Sequence, residues 1–149
     1  MITLELRGDD EVRRRLQSLS RRVKNRESLH KRYAVTGKRW VARNFEDGGR
    51  PRWAPLKPST ARKKVTKTRR RGTSNILRVT GALRGSFTGE ATRQRAVVGT
   101  NKAYAKYHQK GTKHLPVRAM LPTKKQADEF TRPITEDWVE EQIRKSGLK

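Results

Sequence analysis

Between Gly48 and Ala127 the chain carries a single acidic residue, Glu90, while Lys and Arg recur throughout. A segment of that length cannot neutralise itself, so its cations must stand in solvent or meet something acidic. The whole sequence has the same bias. Its 38 Lys and Arg against 14 Asp and Glu give a net charge of +24 over 149 residues. Hydrophobic residues make up 32%, below the usual share of a globular domain. The expectation is therefore one domain, spanning 1–149, around one small core. Composition weighs direct nucleic-acid contact and contact with an acidic protein surface equally.

The acids gather at the two ends, as Asp9, Asp10 and Glu11, and as Glu136, Asp137, Glu140 and Glu141. That bipolar layout suits head-to-tail contact between copies of one subunit. For the first group, favourable placement at the positive end of a helix dipole explains the acids equally well.

Hydropathy supplies the elements. "MITLELRG" alternates Ile2, Leu4 and Leu6 against Thr3, Glu5 and Arg7, the period of a half-buried strand ended by Gly8. Asp9 or Asp10 then caps a helix whose apolar stripe, Val12, Leu16, Leu19 and Val23, is expected in the core. "KNRES" interrupts it, giving either two helices or one bent helix, with Ser28 a candidate cap and His30 expected at the surface. The stripe resumes at Tyr33, Trp40 or Val41, and Phe45, before the turn "EDGGRP".

From Arg50 to about Ser74 prolines, glycines and cations replace the pattern. Lys57, Arg62, Lys63, Lys64, Lys67, Arg69, Arg70 and Arg71 follow with no acid among them. The expectation is a long basic loop, about 57–75, carrying at most one helical turn capped by Ser59 or Thr60. Self-repulsion would keep it mobile until a partner orders it. A strand end leading into a helical turn at "TGALRGS", a short strand at "RQRAVVGT" with Ala96, Val97 and Val98 buried, and a short helix at "NKAYAKYHQKG" follow. Pro122 opens a last helix carrying Phe130, Ile134, Trp138, Val139 and Ile143, which Pro133 should kink or divide. The sum is α+β, a small mainly antiparallel sheet against N- and C-terminal helices.

Catalytic chemistry finds little support. There is no cysteine, and His108 and His114 have no acid within ten residues, so no metal-ligand set forms. Ser86 in "RGSFTGE" lacks the spacing of a nucleophile elbow, and no phosphate-loop pattern occurs. No clustered carboxylates stand ready for a nuclease's magnesium. No apolar run suits a membrane span, and the N-terminus has no apolar stretch of a cleaved signal. No catalytic residues, metal or cofactor are expected. The eight loop cations would bind phosphates with a log–log salt slope of roughly −7, at about 0.9 per contact. No aromatic residue interleaves with them to stack on bases. A monomeric, non-specific nucleic-acid-binding module, such as a ribosome-associated protein, is thus a second reading.

Four segments, "RWAPLKPSTARKK", "ILRVTGALRGSF", "AVVGTNKAYAKYHQKGT" and "PVRAML", in that order, resemble the phage virion morphogenesis family, the tail-completion or head–tail joining proteins of Mu-like and related tailed phages. The resemblance covers roughly Phe45 to Leu121. Trp53, Pro55 and Leu56 match its Trp-x-Pro-Leu element, and Thr80, Gly81, Leu83 and Arg84 its Thr-Gly-x-Leu-Arg. Gly99 and Thr100 precede Tyr104. His108, Gln109 and Gly111 match His-Gln-x-Gly, and Pro116 and Arg118 match Pro-x-Arg. The family usually follows that Arg with an aromatic residue and Leu, where this chain has Ala119-Met120-Leu121. The resemblance implies that His108 and Gln109 are structural, hydrogen-bonding to hold a turn that Gly111 permits and Pro116 stiffens. It also implies a virion component at the neck or tail end, assembled in the host cytoplasm as a ring, often of six subunits. Such a ring would meet adjacent connector and tail proteins, with its basic loop facing packaged DNA or an acidic neighbour.

Overall fold

The computed structural model describes residues 9–67 and 76–148. The strand expected at 2–7 lies outside them. The elements run α1 (Asp9–Lys24), α2 (Glu27–Asp47), α3 (Pro58–Lys67), α4 (Ala82–Gly85), β1 (Phe87–Ala91), β2 (Ala96–Thr100), α5 (Ala105–Lys110) and α6 (Lys124–Ser146). This is an α+β arrangement of helices around one antiparallel hairpin.

The break at "KNRES" makes two helices. The Asn25 amide donates to the Arg22 carbonyl in a closing turn, and its side chain accepts from the Glu27 amide as α2 begins. At its far end α2 stops at Gly48, whose φ of 74° is the left-handed conformation glycine adopts without strain. Gly49 follows at φ 106°, with Trp53 packed against the place a Cβ would occupy.

The β1–β2 hairpin pairs Phe87 with Thr100 and Ala91 with Ala96. Two strands alone are marginal in water and need a helix against one face. Helix α2 supplies it, and two glycines let it come close. A Cβ on Gly89 would lie 2.8 Å from the Ala34 carbonyl oxygen, and one on Gly37 would lie 2.9 Å from Val98 Cγ2. Val98 faces α2 and is half-buried, as is Ala96, whereas Val97 points to the opposite face, which no described element covers, and is exposed. The burial expected of all three fails because a strand alternates its side chains and this hairpin is packed on one side.

The core joins Val41 and Phe45 of α2 to Trp53, Leu83, Phe87, Ala105 and Met120. Phe45 meets Trp53 edge-on, with ring centroids 5.4 Å apart, and Phe87 at 6.0 Å, geometry that adds to plain area burial. A second contact zone lies between α2 and α6. There Trp138 Nε1 donates to Ser28 Oγ at 2.8 Å, Tyr33 and Thr135 share a hydroxyl hydrogen bond, and Arg32 pairs with Glu141. Ser28 thus anchors Trp138, while the N-cap position of α2 belongs to Arg26.

Several expectations need correcting. The α1 stripe is not core: Val12 and Leu16 are about half exposed, at 51% and 52%, and Val23 is exposed as well. Among the described elements α1 packs mainly on α6, and of its stripe Leu19 alone is half-buried. His30 is buried, because its Nδ1 bonds the Thr92 carbonyl at 2.7 Å and ties α2 to the hairpin turn. Residues 76–81 form turns rather than a strand end, and the first strand is instead Phe87–Ala91. Pro133 does not divide α6, which continues to Ser146. It is exposed, so water can satisfy the carbonyl its ring leaves without a donor. Val139 and Ile143 of the expected apolar side are exposed, whereas Gln142 and Ser146 are buried.

The first half of the expected loop is a helix of ten residues, α3. Pro58 opens it, where its fixed φ suits helix and its missing N–H costs nothing. Ala61, Arg62, Lys63 and Lys64 are good helix formers, and a cationic helix with Arg62 and Lys63 turned to solvent keeps its charges apart.

Candidate functional site: a clamped segment and a cationic cleft

The site begins with residues 118–121, an irregular stretch between α5 and α6 that three side chains hold. Gln109 Oε1 accepts from the Met120 amide at 2.7 Å and the Leu121 amide at 3.1 Å. Asn44 Nδ2 donates to the carbonyls of Ala119 (3.0 Å) and Met120 (3.2 Å), and Trp53 Nε1 to Ala119 at 2.9 Å. A non-helical, non-sheet backbone can be buried only when side chains replace the missing ladder. The result places Met120, 1% exposed, in the core.

Arg118 is buried, at 5% exposure. Its Nε and Nη2 donate to the Ala54 carbonyl at 3.3 and 3.1 Å, and Nη2 reaches the Pro55 carbonyl at 3.4 Å. Its own amide donates to the His108 carbonyl at 2.7 Å. Arg118 therefore stitches α5 to the segment that Trp53, Pro55 and Leu56 begin. Gly111, at φ 75°, ends α5; a Cβ there would press on Val117. Reciprocal backbone bonds between Thr112 and Leu115 close the following turn, and Pro116 sits exposed beyond it.

The other motif residues frame the same region. The Thr80 hydroxyl accepts from the Ala82 amide at the start of α4, Gly81 adopts φ 81° and Leu83 enters the core. Arg84 pairs with Glu46. Thr100 shares a hydroxyl hydrogen bond with Ser86 and accepts from the Lys102 amide, and Gly99 lies opposite Thr88 in the hairpin. Tyr104 precedes α5 and meets the His108 ring edge-on, with centroids 6.3 Å apart.

Between α3, the 77–83 turn and α5 lies a cleft of about 310 Å³. Leu56, Leu77, Val79 and Leu83 give it apolar walls, and Lys64, Thr80, His108 and Arg118 bring the polar groups. Burial, then the Arg118 charge, holds the His108 imidazole below its ordinary pKa. Burial, then Arg118 and Arg78, does the same to the Lys64 ammonium. Among the described residues the His108 Nδ1 is buried without a hydrogen-bond partner, while the His108 carbonyl accepts from the Arg118 amide.

The cations expected to touch DNA or an acidic partner divide. Lys57, Arg62 and Lys63 are exposed on and just before α3, while Lys64 is half-buried in the cleft. The side chain of Lys67 and residues Arg69, Arg70 and Arg71 lie outside the described residues. Sequence reasoning missed Asn44, fully buried and central to the clamp. Its spacing, three residues after Val41 and next to Phe45 on the apolar face of α2, was its only signal.

No group of three or more His, Asp or Glu side chains converges among the described residues, and no described helix is long and apolar enough to cross a membrane. Fold and site together define a small α+β domain whose motif residues mostly hold its own backbone. The chain belongs to the phage virion morphogenesis family, whose model matches residues 8–140. It is also similar to the Mu-like prophage FluMu G protein 2 of Haemophilus influenzae, 37% identical over 113 residues that cover 76% of this chain and 72% of that protein. No solved structure matches it.

Proposed function

We propose that this morphogenesis protein is a structural component of the virion neck or tail end, which completes the tail or joins it to the DNA-filled head. It would act as a ring of copies, with six the expected number, by binding rather than catalysis. The family match over residues 8–140 carries the reading. The charge supports it, since a ring multiplies a net +24 and surrounds or faces a polyanion. In this arrangement exposed Lys57, just before α3, and Arg62 and Lys63 on it, together with Lys67 and Arg69–Arg71, meet packaged DNA or the acidic surface of the adjacent connector or tail protein.

Electron microscopy of lysates from the phage with this gene disabled tests the proposal. Filled heads and finished tails lying unjoined would support a joining role, and abnormally long or ragged tails would support tail completion. Normal virions would overturn both and favour the monomeric nucleic-acid-binding module.

A further inference from the structure

The cleft between α3 and α5 has cationic groups and apolar walls, but no acidic residue among the described residues that line it. Arg118 is buried, and its guanidinium meets only the neutral carbonyls of Ala54 and Pro55 among the described residues. A buried guanidinium without a counter-anion is costly, and a carboxylate placed beside it recovers much of that cost through charge-assisted hydrogen bonds. His108 Nδ1 is likewise buried and without a hydrogen-bond partner among the described residues. Leu77, on the cleft wall, holds φ 61°, a left-handed conformation that is costly for a bulky residue and tends to persist at ligand-binding sites.

We propose that this cleft is a docking site for an acidic–apolar segment of a partner protein, taking a Glu or Asp carboxylate toward His108, Lys64 and Arg118 and a neighbouring aliphatic side chain against Leu56, Val79 and Leu83. The apolar walls decide against nucleic acid. A backbone phosphate carries no hydrocarbon to cover them, and on a duplex it sits on a convex ridge that does not enter a concave cleft. The cleft is also distinct from the solvent-facing cations on and just before α3, since exposed Lys57, Arg62 and Lys63 suit a polyanion of any shape. The inference goes beyond the virion role and does not depend on it, since binding by the isolated chain is measured without phage.

The test is an NMR titration of the full-length protein, following the His108 ring signals near physiological ionic strength. The probe is an acetylated peptide, Gly-Ser-Leu-Glu-Glu-Leu-Ser-Gly, and the controls are its Gln-for-Glu counterpart and a short DNA duplex. The Glu peptide should shift the His108 ring and bind about tenfold or more tightly than the Gln peptide, the scale of one charge-assisted contact. Val79→Glu puts a carboxylate at the mouth of the cleft while removing one unit of charge from +24. It should abolish the His108 response, whereas non-specific attraction to a cationic chain would survive it. Val79 is 60% exposed, so the variant should fold, and Lys64→Gln gives a second, independent weakening. An unmoved His108 ring, equal binding of the Glu and Gln peptides, or a response to the duplex instead of the peptide would each overturn the proposal.

Discussion

Truncating Gln109 to Ala should remove the acceptor that holds two consecutive amides, those of Met120 and Leu121, at 2.7 and 3.1 Å. Both partners are donors, so the side-chain amide can serve only with its oxygen toward them, which fixes its orientation without ambiguity. A donor left unsatisfied in a buried site costs about 1–3 kcal/mol. Met120 is 1% exposed and takes that cost in full, while half-buried Leu121 can recruit water. The sum is a loss of roughly 3 kcal/mol, or about 6–12 °C in Tm for a chain of this size. Gln109→Glu keeps the acceptor and makes it anionic within a strongly cationic chain, so it should stay within about 1 kcal/mol of the parent. Urea unfolding followed by Trp fluorescence, with Trp53 hydrogen-bonded to the same segment, measures both variants. A Gln109→Ala variant within about 1 kcal/mol of the parent, or a Glu variant as damaged as the Ala variant, would refute the argument that this side chain replaces a backbone ladder.

Two further perturbations probe neighbouring parts of the site. His108 is held below its ordinary pKa of 6.5 by burial and by Arg118, with Lys64 in the same cleft and Tyr104 against the ring. The unfolded chain therefore takes up a proton at a higher pH than the native one. The stability is complete above about 6.5 and is lost as pH falls through and below that value. A Tm–pH series in His108→Gln should show a shallower acid limb, and an unchanged limb would remove His108 from the account. Gly49→Ala forces a Cβ to within 2.4 Å of Trp53 Cδ1 at a backbone φ of 106°. It should cost about 2–4 kcal/mol, and a chemical-denaturation midpoint equal to that of the parent would contradict the packing described.

The parts of this fold legible in the sequence are those where one periodicity had no competitor. Helices α2, α5 and α6 and strand β2 are read from apolar spacing and glycine stops. What the sequence hid has physical causes that differ from place to place. Strand β1, "FTGEA", shows no alternation because Gly89 is there to admit the Ala34 carbonyl, so its signal is a close approach rather than a hydrophobic face. Helix α3 was masked by its charges and its proline, although Pro58 is the residue that starts it. The α1 stripe reads as core by spacing alone, since a single helix cannot announce whether a second surface will cover it. Asn44 and the buried guanidinium of Arg118 were hidden for the opposite reason. Their task is to satisfy backbone groups 63 to 76 residues distant in sequence, and no local pattern encodes a long-range hydrogen bond. The matching motifs marked Arg118, Gln109 and Trp53 as belonging together, and the geometry supplies the reason: each bonds the same irregular backbone or ties it to α5. That backbone in turn sets Arg118 beside His108 at the edge of the cleft. Stabilising the fold and shaping a cationic docking surface are therefore one arrangement, and a substitution in the clamp should be felt at the cleft even where it touches no partner.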